Sequence, residues 1–329
     1  MRRSLFTILL FIAGLLIFGV VFYMIGLKRI FLQLLKINLW FYLLAIISAI
    51  ITLLLWTLRW KSFIKSTNYD VPLLSLFKIL IIGLAINNLT PVAKLGGEPV
   101  RAYLLKKEFK IPMRRGFAII LSDLTTEFLI SAMMVVISML LITFYIQPPA
   151  WLSVSLVIFT ILTIIGFGSL LGIYSNKNFI NKTILWSIKK IKRLRPLERK
   201  ILTRYKEFQE SFKRCFKDKK LFSKAIIYGT MMKVFDVLKF LFIFMSLNYH
   251  IGVLEILIII GISIILSTIP ATPGGLGIIE GGIISSFILI GVSADVSAVA
   301  IFLERLISFW GITIIGGVLG IRYGIRTHQ

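Results

Sequence analysis

The sequence predicts an all-α polytopic membrane protein, with about 8–9 hydrophobic helical segments in a single domain over residues 1–329. Three observations carry this expectation. First, 58% of the 329 residues are hydrophobic and the mean hydropathy is +0.94, with apolar runs long enough for a hydrocarbon core ~30 Å thick. Second, the formal net charge of +24 falls between those runs, where the positive-inside rule puts it, so it speaks for membrane orientation and against nucleic acid as a partner. Third, NNLTPVAKLGGEPVR (87–101) and STIPATPGGLGIIEGG (267–282) set prolines and paired glycines inside apolar sequence. Lipid tolerates such breaks only where the freed backbone groups face protein or a wet cavity, so two broken or re-entrant helices are expected.

The first apolar run, Leu5 to Leu27, exceeds the ~7–15 residues of a signal-peptide core and reads as an uncleaved transmembrane helix. LKRIFLQLLKI (27–37) sets Leu27, Ile30, Phe31, Leu34 and Leu35 on one helical face and Lys28, Arg29 and Lys36 on the other, as in a helix lying in the membrane interface. A second span from Leu39 to Trp56 ends in an interfacial anchor of Arg59, Trp60 and Lys61. The third starts near Leu73 and runs into the first Pro/Gly-Gly stretch. EPVRAYLLKKEFK, which follows, is too short and too charged to cross back, so a re-entrant hairpin is expected.

The fourth span, Arg115 to Ile146, carries Asp123 and Glu127 on one face. QPPA (147–150) turns the chain into a fifth, Trp151 to Tyr174. Residues 175–220 hold 16 Lys/Arg against 4 Asp/Glu and therefore belong in the cytoplasm. Ile201, Tyr205, Phe208, Phe212 and Phe216 recur there at helical spacing, as in a basic amphipathic helix resting on the anionic inner leaflet. The lone cysteine, Cys215, excludes an intramolecular disulfide. The sixth span, Leu221 to Leu247, holds Lys233, Asp236 and Lys239 near its middle. The seventh, Val253 to Thr268, enters the second Pro/Gly-Gly stretch, the eighth leaves it, and the ninth, Val296 to Gly320, holds Glu304 and Arg305. This topology describes a multi-pass protein of the cell membrane with both termini cytoplasmic.

The two Pro/Gly-Gly stretches share an order, with Pro91, Gly96, Gly97 and Glu98 matching Pro270, Gly274, Gly275 and Glu280. Gly97 precedes Glu127 by 30 residues and Gly275 precedes Glu304 by 29. With the first stretch entered from the cytoplasm and the second from outside, this is the pattern of an inverted repeat whose half-helix ends face an anionic group. The competing reading of the glycines is close helix packing of the small-xxx-small kind. Pro270 and Pro273 speak instead for breakage.

Asp123, Glu127, Lys233, Asp236, Lys239, Glu304 and Arg305 fall at bilayer depth. Each costs ~2.5–3.5 kcal/mol on insertion scales, so they face one another or water. Two readings are open. In one, Lys233 and Asp236 neutralise each other and Lys239 snorkels to the interface. In the other, Arg101, Lys233 and Arg305 line a cavity for a phosphate-bearing headgroup, while Asp123, Glu127 and Glu304 counterbalance them or carry protons. Adjacent Glu304 and Arg305 point ~100° apart and so serve different neighbours. His250 and His328 stand without a Cys/His cluster, which gives no metal site. There is no Walker A pattern, and Ser and Thr in the motifs lack a histidine partner, so no cofactor is expected.

NLTPVAKLGGEPVRAYLL, PATPGGLGIIEGG and LERLISFWG together resemble the lysylphosphatidylglycerol synthase transmembrane-region family. These are flippase-like membrane proteins related to the N-terminal half of the bacterial multiple peptide resistance factor. The resemblance covers essentially the whole chain. It implies a substrate site at Asn88, Pro91, Gly96, Gly97, Glu98 and Arg101, then Pro270, Pro273, Gly274, Gly275, Gly277 and Glu280, then Arg305. The charge reading adds Asp123, Glu127, Lys233, Asp236 and Glu304. The family often shows Glu-Arg followed by Asp in the helix after the first motif, whereas SDLTTEF has Asp123 and Glu127 without an arginine.

What the resemblance implies is lipid transport, the binding or movement of anionic or aminoacylated phospholipids or polyprenyl-phosphate-linked sugars through a midplane cavity. No soluble acyltransferase domain follows Arg322. The expected role is therefore to handle a lipid made by a partner enzyme, not to be an enzyme itself. Two readings from other classes stand beside it. One is an intramembrane enzyme acting on a polyprenyl phosphate, with Asp123 or Glu127 as acid/base. The other is a non-catalytic scaffold for a glycosyltransferase, using the basic segment 175–220.

Overall fold

The computed structural model describes residues 23–90, 95–145, 210–268 and 272–325, with a few isolated positions in 16–20, 154–165 and 207. Most of the first and fifth spans and of 175–220, together with Pro91 and Pro270, lie outside the described residues. The helices are α1 (Leu27–Leu34), α2 (Leu39–Ser66), α3 (Leu73–Leu89), α4 (Glu98–Phe109) and α5 (Met113–Tyr145). They continue with α6 (Lys219–Ser246), α7 (Val253–Ser267), α8 (Ile278–Leu289), α9 (Ala294–Arg305) and α10 (Ile312–Ile325). A 3-10 turn at Pro273–Gly275 precedes α8, and a π turn at Leu306–Gly311 joins α9 to α10. Among the described residues, three stretches are both long and apolar enough to cross a membrane: α2, α5 over Met113–Thr143, and α9 with α10 over Ala294–Gly324. Leu43, Ile47, Ile50 and Leu54 form an exposed apolar stripe on α2, the face a lipid-contacting helix presents.

The chain is built twice. Asn38 caps α2 by accepting from the Trp40 N–H at 3.0 Å, and Asp218 caps α6 by accepting from Lys220 N–H and Leu221 N–H at 3.0 and 3.1 Å. Both helices run 28 residues and stop just before an asparagine with positive φ, Asn68 at 64° and Asn248 at 54°. α4 and α8 each run 12 residues and follow Gly97 and Gly277. The Asn38 N–H donates to the Ser246 carbonyl at 2.8 Å, which lays the start of α2 against the end of α6. The leading helices of the two halves are antiparallel, so the halves are inverted relative to each other.

The register of this repeat differs from the one read off the motifs. Gly97 corresponds to Gly277, not Gly275, and Asp123, not Glu127, corresponds to Glu304, each being the eleventh residue of its helix. The 3-10 turn is the reason. It takes Gly274 and Gly275 at φ of 61° and 72° ahead of the helix, which separates the visible glycine pair from the α8 start.

Each half contains a helical hairpin. α4 folds back on α3 so closely that a Cβ on Gly97 would lie 2.9 Å from Gly83 Cα. Arg115 at the start of α5 donates to the Tyr69 hydroxyl at 2.9 Å, so the chain leaves the hairpin where it entered. In the second hairpin Val292, after α8, is buried in one cluster with Ile256 near the start of α7. The hairpin tips meet: a Cβ on Gly274 would stand 2.9 Å from the Asn88 carbonyl at the end of α3.

Two sequence expectations change here, the extent and burial of α2 and the surroundings of Phe212 and Phe216. α2 does not end at Trp56 but runs to Ser66, and Arg59 and Trp60 are fully buried rather than interfacial. Their charge and indole find partners inside the protein, described below. In α1 only Ile30 is buried and Leu34 packs on the core, while Leu27, Phe31 and Leu35 are exposed. Phe212 and Phe216 face protein rather than a leaflet, because their rings pack together at 5.0 Å and Phe216 contacts Phe63 and Phe222. Ile201, Tyr205 and Phe208 lie outside the described residues.

Two apolar cores result. One gathers Trp60, Phe63, Leu76, Ile79, Leu105 and Ile119; the other gathers Phe240, Phe244, Ile256, Ile283, Phe287 and Val299. The ionisable residues of α2, α5, α6 and α9 stand between them along those helices.

Candidate functional site

Arg59 is the hub of the first half. Its Nε lies 2.8 Å from Asp123 Oδ1, and Nη1 pairs with Glu127 Oε2. Asp123 Oδ2 accepts from Trp56 Nε1 at 2.9 Å and lies 3.5 Å from Arg101 Nη2. Arg101 Nη1 donates to Glu98 Oε2 at 2.8 Å, and its guanidinium stacks on the Trp60 ring at 4.0 Å. Ring and carboxylate together keep a buried arginine tolerable, since the guanidinium is weakly hydrated and suited to stacking. Asn87 closes the turn by accepting from the Gly97 N–H at 2.6 Å and donating to Glu98 Oε1 at 3.4 Å.

Lys239 plays the part of Arg59 in the second half. Both are the twenty-first residue of their helix, and Lys239 Nζ donates to Glu304 Oε1 at 3.0 Å. Arg305 Nε lies 2.8 Å from Glu280 Oε1, and Glu280 Oε2 accepts from the Gly277 N–H at 2.6 Å. The second hairpin is thus tied to α9 by an arginine–glutamate pair, and the first to α5 by Arg101 and Asp123.

α6 joins the halves. Lys233 Nζ donates to Glu127 Oε1 of α5 at 2.6 Å, while Lys239, six positions on, holds Glu304 of α9. Glu127, Lys233 and Asp236 are half-buried, and Lys239, Glu304 and Arg305 keep 11%, 12% and 11% of their side chains exposed. Arg59, Asp123 and Glu280 are wholly enclosed. The α6 stripe is thus the more accessible part of the network, and the enclosed groups hold its geometry.

Where the hairpins meet, Asn88 Nδ2 donates to the Phe309 carbonyl at 3.2 Å and to Thr313 Oγ1 at 3.0 Å. Phe309 lies in the π turn, whose altered ladder presents that carbonyl to a side chain.

The structure does not gather the sequence-chosen residues into one open cavity of free cations. Lys233 pairs with Glu127, not with Asp236, and Lys239 does not snorkel but holds Glu304. Arg101, Lys233 and Arg305 each have a carboxylate within 3 Å, because an uncompensated charge in this environment costs more than the pair. Glu304 and Arg305 do turn to different partners. Gly96, Gly97, Pro273, Gly274, Gly275 and Gly277 shape the two hairpin turns. Arg59 and Trp60, expected as an interfacial anchor, join the site, as do Asn87 and Trp56, which the sequence did not single out. For Arg59 the signal was available, since the arginine missing from SDLTTEF is supplied by α2, at the position where α6 carries Lys239.

The family model of the lysylphosphatidylglycerol synthase TM region matches residues 7–316. The chain belongs to this family. A UPF0104 membrane protein of Methanothermobacter thermautotrophicus is 31% identical over 279 residues, covering 83% of this chain and 82% of the relative. Another, of Pyrococcus horikoshii, is 30% identical over 323 residues, covering 94% and 95%. A third, of Methanocaldococcus jannaschii, is 31% identical over 317 residues, covering 94% and 92%. The lysylphosphatidylglycerol synthase TM region contains both hairpins and every residue of the ion-pair network, and the protein is membrane-embedded.

Proposed function

We propose that the protein binds the phosphate-bearing headgroup of a membrane lipid along the α6 stripe and moves it across the bilayer. Headgroup movement occurs by exchange of ion-pair partners between the two inverted halves. The observation that carries this reading is the position of Lys233 and Lys239 on one helix, held by Glu127 of one half and Glu304 of the other. A phosphate is a stronger multidentate acceptor than a carboxylate. It displaces Glu127 from Lys233, passes to Lys239, and leaves as Glu304 returns. Inverted repeats that rock about such a site give alternating exposure of it.

The substrate class is an anionic or aminoacylated phospholipid, or a polyprenyl-phosphate-linked lipid, whose tails stay in the bilayer while the headgroup crosses. The chemistry asked of the site is binding and release, with no bond made or broken. The protein acts in the cell membrane with both termini cytoplasmic and receives its lipid from a synthesising enzyme, and the charge of 175–220, 16 Lys/Arg against 4 Asp/Glu, is attracted by the anionic inner leaflet.

Transbilayer movement of a fluorescent anionic phospholipid in proteoliposomes tests this. Lys233→Gln and Lys239→Gln should each slow it by at least about ten-fold, the loss of one charge-assisted contact. Lys78→Gln, away from the stripe, should match wild type. Wild-type movement in both stripe variants, at equal insertion and thermal stability, rejects the assignment.

A further inference from the structure

The ion-pair network does not balance. Six carboxylates, those of Glu98, Asp123, Glu127, Asp236, Glu280 and Glu304, meet five basic side chains, Arg59, Arg101, Lys233, Lys239 and Arg305. Fully ionised, it carries one negative charge, and no further basic side chain among the described residues lies within ion-pair distance. A buried net charge is neutralised either by taking up a proton or by a bound counter-ion.

The carboxylate left over can be named. Glu98, Asp123 and Glu280 each have a guanidinium nitrogen at 2.8 Å. Glu127 has Arg59 and, at 2.6 Å, Lys233; Glu304 has Lys239 at 3.0 Å. For Asp236 the nearest cation is the same Lys239, at 4.0 Å, and no side-chain hydrogen bond reaches its carboxylate among the described residues. Its side chain is also 26% exposed, so protein does not seal it off.

We propose that Asp236 is the proton-binding site of the network: it holds a proton in the arrangement seen here and exchanges it with water reaching the α6 stripe. The charged groups acting on it are Lys233 and Lys239 from α6, Glu127 from α5 and Glu304 from α9. Arg59 of α2 stands behind Glu127, Arg305 of α9 beside Glu304, and α7 brings only Glu255 in its first turn. Each of the other carboxylates is committed to a closer cation, so the uncommitted oxygen of Asp236 takes the proton.

The coupling that follows rests on the lipid-translocation reading above. A phosphate on Lys233 or Lys239 adds negative charge beside Asp236 and strengthens its hold on the proton. Proton and headgroup then cross together, and the proton leaves when the headgroup does. Lipid should move from the acidic to the alkaline side of a vesicle carrying a pH gradient.

Infrared spectroscopy of the reconstituted full chain with isotope-labelled aspartate tests the proton site without any lipid assay. At neutral pH the expected result is a protonated aspartate C=O band, shifted by the label, lost in Asp236→Asn and retained in Asp70→Asn. In Asp236→Glu the band should move from aspartate label to glutamate label, which keeps the test decisive if the asparagine variant folds poorly. Absence of the band in wild type, or its survival in Asp236→Asn, overturns the proposal. So does a loss of thermal stability when sodium is replaced by choline at constant pH, which marks a bound cation instead. A band that behaves as expected in vesicles that move no lipid removes the translocation reading and leaves the proton site standing.

Discussion

Arg59 Nε lies 2.8 Å from Asp123 Oδ1, and neither side chain is exposed. The pair bridges α2 and α5 and orders everything else in its half, because Asp123 also receives Trp56 and faces Arg101.

Removing one member leaves the other charge buried and alone, at a cost of about 3–5 kcal/mol. Arg59→Ala and Asp123→Ala should each lower the thermal unfolding midpoint strongly in detergent. Arg59→Met with Asp123→Leu should recover most of that loss, since replacing both members by apolar groups is often neutral. A double variant no better than the singles shows that shape, not charge, sets the cost.

Gly97→Ala should prevent the first hairpin from closing. Its Cβ would stand 2.6 Å from the Gly83 carbonyl carbon, and backbone cannot move aside as a flexible side chain can. Overpacking of this kind costs about 1–3 kcal/mol or more. Gly317→Ala meets nothing within 4 Å and serves as the control, with an expected gain of roughly 0.5–1 kcal/mol from its helical position. Expression level and unfolding midpoint separate the two.

Asn88→Ala removes the side chain that ties the first hairpin to the π turn. Two hydrogen bonds are lost, each worth about 0.5–1.5 kcal/mol net, so the expected destabilisation is modest and the main effect is on geometry. In a Cys215→Ser background, a short bifunctional reagent should link Asn88→Cys to Thr313→Cys efficiently. Failure to link, with both thiols reactive singly, contradicts the contact of the hairpin tip.

Cys215 is buried, and burial pushes its thiol up from the ordinary value. The stability this thiol contributes is complete below its unfolded pKa of about 8.5 and is lost as pH rises through the folded value. Wild type should therefore lose stability on the alkaline side by an increment that Cys215→Ala lacks. Maleimide labelling should stay slow until the protein unfolds; fast labelling of the folded protein argues against the buried placement.

The fold class, the two hairpins and the presence of charges at bilayer depth were legible in one dimension. Proline occurring together with paired glycine interrupts the helix at both stretches, whereas Gly281–Gly282 and Gly316–Gly317, glycine pairs without a proline, lie inside α8 and α10. The partners of those charges were not legible. Lys233 has Asp236 three positions away in sequence, yet it takes Glu127, 106 residues distant, because the rotation of α6 against α5 decides which carboxylate faces it. Likewise the hydropathy of α2 falls at Arg59 and Lys61, which reads as a membrane boundary.

By itself the sequence determined a membrane-embedded helical framework with two breaks, since hydropathy and backbone breakage act over a few residues at a time. Tertiary structure alone decided that Arg59 is buried, that each of the five cations of the described network has a carboxylate partner, and that Asp236 is the carboxylate left without a close one. Those outcomes depend on the depth and rotation of helices far apart in the chain, and in a medium of low dielectric a difference of an ångström or two between partners decides which charge is held and which is free.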